Sequence, residues 1–273
     1  MDAILGEISR RLTGQWIQIA VSGVLFLGVG WVALTLGQRH ALDHGLLLSR
    51  VDTLVAGIDG TTSLIVRAVL LTALGYLLGM TAHMTGSMLR RLWTDRWPPP
   101  LHWIEKGVVL LRRAYFGRRW PDRTRELPAR YLPARATRVA DRIRLAHERV
   151  DAEYGAHLGL LWPRLWLMLT PDERGPIELS RAGLDSAAVL AVWGTALVGL
   201  GWWWWPAALI GLAVVLVARH RAGTAVGALA DLAESTVDSQ QRVLADRFGV
   251  PVIDGRISRE DFRQINDRLA KGA

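Results

Sequence analysis

Five polar and aromatic residues near the middle of the chain have the types and spacing of an anion-binding site. They are Thr137, Arg138, Asp141, Trp162 and Arg164. Together they offer hydrogen-bond donors, two guanidinium groups, one carboxylate and an indole, which suit an anionic headgroup, a nucleotide-like signal or a partner protein. The alternative is a structural role, in which the same residues hold a helix that begins near residue 138 against the next apolar segment.

Two histidines are candidate metal ligands. His40 and His44 would share one face if their segment were helical, with Asp43 beside them. The segment lies in a connecting loop without a nearby glutamate base, which favours solvated histidines, so we predict no metal site. The sequence has no cysteine, no phosphate-cradling glycine loop, no nucleophile elbow and no paired carboxylates within an apolar run. We therefore predict no catalytic residues and no cofactor.

Three further candidates, Arg67, Gly75 and Gly79, lie within one apolar run. Two glycines four residues apart let helices approach closely. Arg67 falls about one turn inside the run, where an arginine either marks an ion path or extends its side chain to the headgroups. The second interpretation is favoured for Arg67. The set predicts a helix-packing face or the lining of a pore.

The elements that must position these residues are apolar helices, because the hydrophobic residues are clumped along the chain. Uncharged residues fill 16–36, and residues 64–83 contain one charge, Arg67. Residues 186–218 also lack charge. At about 1.5 Å per residue this last run exceeds one crossing of a bilayer core about 30 Å thick, so it predicts a hairpin that turns at residues 199–201. The sequence predicts an all-α, polytopic membrane protein with four transmembrane helices and a helical cytoplasmic region.

Arginine positions predict the orientation of these four spans. Residues 85–185 hold 19 Lys or Arg against 12 Asp or Glu, whereas the 37–63 connection holds only Arg39 and Arg50. By the positive-inside bias, both termini and the central segment are cytoplasmic, and the outer loop and tryptophan turn face outward. The predicted regions are a first transmembrane pair (1–84, with the outer loop 37–63), a basic cytoplasmic helical region (85–185), a transmembrane hairpin (186–220) and a cytoplasmic helical tail (221–273). We expect the first run to remain as an anchor in a bacterial inner membrane.

The net charge of +8 and the pI near 10.8 do not require a nucleic-acid partner. Most of the excess lies in residues 85–185, beside the predicted spans, where it complements anionic lipid headgroups. Nucleic acid is therefore not expected as a partner. The expected partners are the bilayer, its anionic headgroups at the cytoplasmic face, an unknown protein and further copies of the chain.

Helical patterns also fill the remaining segments. Apolar spacing predicts helices at 46–58, 101–116, 138–155, 229–248 and 258–269, with a Pro-rich linker at 117–136. Residues 158–169 are too short to span a membrane and predict a buried or re-entrant element. Thr170 and Glu173 have the spacing of a capping box at the start of the next helix.

The central segment resembles a widespread group of bacterial four-span membrane proteins with the pattern P-T-R-x-G-N, then R-Y-G, then W-P-R-L, ahead of a hydrophobic hairpin. The matching stretches are Ala136-Thr-Arg-Val-Ala-Asp141, Glu153-Tyr-Gly155 and Leu161-Trp-Pro-Arg-Leu165. This chain has Ala136 for proline, Ala140 for glycine, Asp141 for asparagine and Glu153 for arginine. The resemblance covers about residues 136–250, and it implies architecture without an activity.

Three functional hypotheses remain open at this point. The first is a non-catalytic inner-membrane protein whose cytoplasmic helices bind a partner or sense a signal. The second is an oligomeric pore or channel, which glycine-rich spans with few charges would allow. The third is a membrane enzyme that acts on an anionic lipid at the arginine-rich face.

Overall fold

The computed structural model describes residues 2–56, 60–251 and 257–270, without the side chains of residues 2–15, 123, 124 and 126. The chain is 85% helical, and the described residues contain no strand. The α-helices are α1 (Asp2–Leu36), α2 (His44–Ala56), α3 (Thr61–Thr94), α4 (His102–Arg119), α5 (Pro121–Glu126), α6 (Arg138–Tyr154), α7 (Leu158–Met168), α8 (Pro171–Leu200), α9 (Trp205–Ser239), α10 (Gln241–Phe248) and α11 (Arg259–Ala270).

Four helices, α1, α3, α8 and α9, are long and apolar enough to cross a membrane. The predicted all-α fold with four such helices is confirmed. The hairpin turn lies slightly later than predicted, because α8 continues to Leu200 and α9 begins at Trp205.

The chain divides into two compact units. The first, which we call the span unit, comprises Met1–Leu89 and Ser186–Arg219. The second, the basic unit, comprises Arg90–Asp185 and His220–Ala273. The divisions fall inside α3, α8 and α9, so these three helices each contribute to both units.

Within the span unit, α1 and α3 approach at two glycines. A Cβ atom added at Gly75 would lie 2.8 Å from the backbone nitrogen of Val24 and 3.0 Å from the carbonyl oxygen of Ala20. A Cβ at Gly79 would meet the carbonyl oxygen of Ile19. Because backbone atoms cannot move aside as a flexible side chain can, only glycine permits this approach.

The tip of the α8–α9 hairpin is bound to the segment that follows α1. The Gln38 side-chain amide donates to the carbonyl oxygens of Gly201 (2.9 Å) and Trp202 (2.8 Å). The indole N–H of Trp204 donates to the carbonyl oxygen of Ala41 at 2.9 Å. The two Gln38 bonds satisfy carbonyl groups just after the end of α8, where no intrahelical partner is available.

The connection between α1 and α3 contains a turn followed by α2. His40 lies in a turn and His44 begins α2, so the two histidines do not share a helical face. The reason is Asp43, whose carboxylate accepts from the backbone N–H of Leu46 at 3.0 Å and so favours a helix start. The predicted 46–58 helix ends at Ala56, and residues 57–59 lie outside the described part of the chain.

The basic unit has its own hydrophobic core, built from α6, α7, the C-terminal end of α9, α10 and α11. Its largest fully buried side chains include Leu161, Leu165, Val237, Leu244 and Phe262. The inner face of α7 therefore belongs to this core. A buried element was one of the two interpretations of residues 158–169.

Polar contacts join α6 to α9 beside this core. The Tyr154 hydroxyl donates to the Asp238 carboxylate at 2.6 Å. Burial and this hydrogen bond raise the pKa of Tyr154, so the phenol remains a donor. Arg149 pairs with Glu234 on the same two helices, its Nε atom 2.8 Å from the carboxylate.

The helix predicted over 229–248 is interrupted at Gln240, whose backbone departs from helical geometry. The Gln240 side-chain amide bonds to the Glu173 carboxylate at 3.2 Å, and the neighbouring Gln241 accepts from the N–H of Ile257 at 3.2 Å. These long-range contacts favour a bend that the local apolar spacing does not encode. The predicted capping box is present, with the Thr170 N–H 2.8 Å from Glu173.

Candidate functional site

The motif at residues 136–141 forms the N-terminus of α6, where Thr137 is the N-cap residue. Its hydroxyl accepts from the backbone N–H of Ala140 at 3.0 Å and donates to the carbonyl oxygen of Trp93 at 2.5 Å. The threonine thus satisfies a free N–H at the helix start and also links α6 to the end of α3.

Asp141 lies one turn into α6 and is buried. One carboxylate oxygen accepts from the backbone N–H groups of Ala134 and Arg135, both at 3.0 Å. Arg112 lies 2.7 Å from the other oxygen, and Arg144 lies 3.4 Å from the first. A buried carboxylate needs such paired charges and donors to offset its loss of hydration.

The same arginines bind carbonyl oxygens of the loop that precedes α6. Arg112 donates to the carbonyl oxygen of Thr137 at 3.0 Å, and Arg144 donates to that of Leu132 at 2.9 Å. Arg113 donates to Pro133 at 2.6 Å. We call Asp141, Arg112, Arg113 and Arg144 the arginine clasp. Its contacts give Asp141 a role in holding the loop on α4 and α6.

Arg138, next to this clasp, is exposed. Among the residues that the structure describes, it forms no hydrogen bond and no ion pair. The Arg138 guanidinium is therefore available to bind an anion. The Asp141 carboxylate is already paired with arginines and backbone N–H groups, so it is not available to bind a cation.

Trp162 and Arg164 lie on α7 and have different surroundings. Arg164 donates to the carbonyl oxygen of Leu160 on its own helix at 3.1 Å. Trp162 lines a cleft between α6, α7, α8 and α9. No hydrogen bond or ion pair between described residues joins these two side chains to Thr137, Arg138 or Asp141, so the five candidates are divided between two places in the basic unit.

The cleft, which we call the tryptophan cleft, has a volume of about 150 Å³. It is lined by Ile143, Ala146, His147, Leu158, Trp162, Arg181, Leu229, Ala230 and Ala233. Seven of these nine side chains are apolar or aromatic, and the cleft is large enough for one side chain of a ligand. Its walls favour an apolar group, while Arg181 favours a neighbouring negative charge.

Two arginines of α8 stack on the tryptophans of α7. The Arg181 guanidinium lies 5.1 Å from the Trp166 ring centre and 5.9 Å from that of Trp162. The Arg174 guanidinium lies 5.5 Å from the Trp166 centre. Such contacts hold a guanidinium by its face and leave its N–H groups for an acceptor.

The N–H groups of these two arginines have no acceptor among the described residues. The Nε atom of Arg174 is buried and also lacks an acceptor. A donor without a partner favours any ligand that supplies one. The two stacked arginines, with the cleft beside Arg181, are therefore suited to hold an acidic group.

His147 lies on the cleft wall and keeps an exposed edge. Desolvation where the imidazole packs against the protein lowers its pKa below the ordinary value of 6.5, and the Glu148 carboxylate opposes this effect. The imidazole is therefore neutral near pH 7, and the positive charge at the cleft belongs to arginine.

Sequence reasoning missed Arg174, Arg181 and His147. Two patterns could have indicated the arginines. Trp162 and Trp166 are four residues apart, and Arg174 and Arg181 are seven apart, so each pair lies on one face of its helix. What the patterns lack is the packing of α7 against α8, which brings the two faces together.

The other candidate set lies in the span unit. Gly75 and Gly79 are buried against α1, whereas Arg67 is exposed on α3. Among the described residues no group of three or more histidine, aspartate or glutamate side chains is placed to hold a metal ion.

Comparison with models of known protein families, with curated proteins and with solved structures finds no match to this chain.

Proposed function

We propose that this chain is a non-catalytic protein of a bacterial inner membrane whose cytoplasmic basic unit binds a partner protein. The observation that carries the proposal is the tryptophan cleft with Arg174 and Arg181 stacked beside it. An apolar pocket next to arginines with unused donors suits a protein segment that presents a hydrophobic side chain near Asp or Glu.

Charge distribution supports an acidic partner. Residues 90–185 hold 19 Lys or Arg and 12 Asp or Glu, an excess of seven positive charges, whereas residues 220–273 are balanced at eight of each. An excess of this size attracts acidic surfaces and increases the rate of encounter. The same excess favours a cytoplasmic position by the positive-inside bias.

Site-specific photo-crosslinking tests this proposal. A photo-reactive residue at Ile143, on the cleft wall, is expected to form one discrete adduct in cells, while the same residue at Arg242, on α10, is not. Arg181→Ala should remove the adduct, and Arg247→Ala, an exposed change away from the cleft, should leave it. Identical adducts from both positions, or an adduct that survives Arg181→Ala, would contradict binding at the cleft.

The mass of the detergent-solubilised protein distinguishes this proposal from the pore hypothesis. A monomer or dimer is expected for a protein that works by binding a partner. A defined ring of four or more subunits would instead favour a pore and direct mutagenesis to Arg67, Gly75 and Gly79.

A further inference from the structure

Helix α4 exposes an apolar stripe outside the four candidate spans. Trp103, Leu110, Leu111 and Tyr115 are 72%, 66%, 73% and 61% exposed. At about 100° per residue these four side chains occupy an arc of about 140° on one side of the helix. We call them the α4 stripe. So many large apolar side chains on one helical face indicate a surface that is covered by something else.

The opposite side of α4 is fixed to the basic unit. Glu105 is buried and accepts from the backbone N–H of Trp97 at 3.2 Å. Arg112, on the same side, belongs to the arginine clasp and contacts Asp141 at 2.7 Å. Because these polar contacts hold the helix, α4 cannot rotate to bury its stripe without breaking them.

Basic residues border the stripe. They are Lys106, Arg113, Arg118 and Arg119, and all four are exposed. The one acidic residue of α4, Glu105, is buried and faces away from the stripe. Lys106 and Arg118 form no ion pair with any described residue. Lys106, Arg113 and Arg119 flank the apolar arc, and Arg118 follows it at the C-terminal end of the helix. An apolar face with basic residues around it matches a surface that is apolar below and anionic above.

Chain connectivity places such a surface near α4. The candidate span α3 ends at Thr94, and α4 begins eight residues later at His102. The connection is held by Trp97, whose indole N–H donates to the carbonyl oxygen of Leu92 at 2.9 Å. A short connection held at its centre keeps α4 close to the end of α3.

We propose that the α4 stripe lies in the headgroup region of the anionic leaflet, with Lys106, Arg118 and Arg119 on lipid phosphates. α4 is then an interfacial helix that holds the basic unit against the membrane. The inference rests on the membrane location given under Proposed function, and it is independent of the partner and of the tryptophan cleft.

Spin labels test the inference directly, because the native chain has no cysteine and each label can be placed alone. The full-length protein would be reconstituted in nanodiscs that contain phosphatidylglycerol, with labels at Leu110, Leu70 or Arg247. Leu70 lies in α3 and reports the bilayer core, and Arg247 lies exposed on α10 and reports water. Compared with the Arg247 label, the Leu110 label is expected to collide more often with oxygen. It is expected to collide several-fold less often with a water-soluble nickel chelate.

Charge reversal supplies the matched comparison. Lys106→Glu with Arg118→Glu should raise nickel access at Leu110, whereas Arg242→Glu with Arg247→Glu, read at the same Leu110 label, should not. Nickel access at Leu110 equal to that at Arg247 overturns the inference. Protection with spin–spin broadening between labels also overturns it, because the stripe then meets a second copy. A Leu70 label open to water overturns the membrane location as well.

Discussion

Asp141 connects the sequence motif to the stability of the basic unit. Its carboxylate neutralises Arg112 and Arg144 and also accepts two backbone N–H groups. Removing it would leave the partly buried Arg112 guanidinium without its counter-charge, and Arg144 would keep only the Glu148 carboxylate at 3.8 Å. Asp141 thus contributes to holding the loop before α6, together with the arginines that bind its carbonyl oxygens.

We expect Asp141→Ala to destabilise the protein by about 3 kcal/mol, because it removes one partner of a buried ion pair. In this size range that loss lowers the melting temperature by roughly 6 to 12 °C. Asp141→Asn should cost less, since an amide oxygen can still accept from Ala134 and Arg135. Tryptophan fluorescence during heating in detergent measures both.

Arg138→Ala is the matched control for Asp141, because Arg138 is exposed, lies one turn earlier and forms no bond with a described residue. Its effect should stay within about 0.5 kcal/mol, as for most surface changes. Equal melting temperatures for Asp141→Ala and Arg138→Ala would contradict a structural role for Asp141.

The candidate site was predictable from sequence only in part. Trp162 was identified because an indole beside arginines is a recognisable combination. Arg174 and Arg181 were missed because their stacking on Trp162 and Trp166 depends on how α7 packs against α8. The grouping of Thr137 with Trp162 relied on closeness in sequence, which does not determine which helix faces meet.

At the scale of helices, the α1–α3 crossing depends on the absence of a side chain. We expect Gly79→Ala to cost about 1 to 3 kcal/mol, because the new methyl group would overlap the Ile19 carbonyl and force the helices apart. The change should lower the melting temperature in detergent and reduce the yield of monodisperse protein.

Gly30→Ala provides the comparison within α1. A Cβ atom at Gly30 meets nothing within 4 Å, and alanine favours helix more than glycine does. This change should be neutral or slightly stabilising. A similar loss of stability from both changes would contradict close packing at Gly79.

The helices themselves were largely predictable, because length and hydropathy suffice for a span and capping residues mark a helix end. The boundaries of α6 and the Thr170 capping box follow from local sequence alone. The break at Gln240 does not, since it depends on Glu173, which is 67 residues away in the chain. The turn at His40 separates it from His44, since i and i+4 spacing brings two residues to one face only within a helix.

At the scale of the whole molecule, charge segregation leads to a prediction of topology. A cysteine at Asp52, exposed on α2, should react with a membrane-impermeant maleimide in intact cells. A cysteine at Arg247, in the basic unit, should react only after the membrane is permeabilised. The reverse pattern would invert the proposed orientation, and a cysteine at Leu70 should remain unlabelled in both conditions.

The bonds at the hairpin tip also constrain the order of events during synthesis. Gln38 and Gly201 are 163 residues apart, as are Ala41 and Trp204. At about 5 to 20 residues per second, a ribosome needs about 8 to 30 s to make the intervening chain. The segment after α1 must therefore wait until the hairpin has been made, and only then can these hydrogen bonds form.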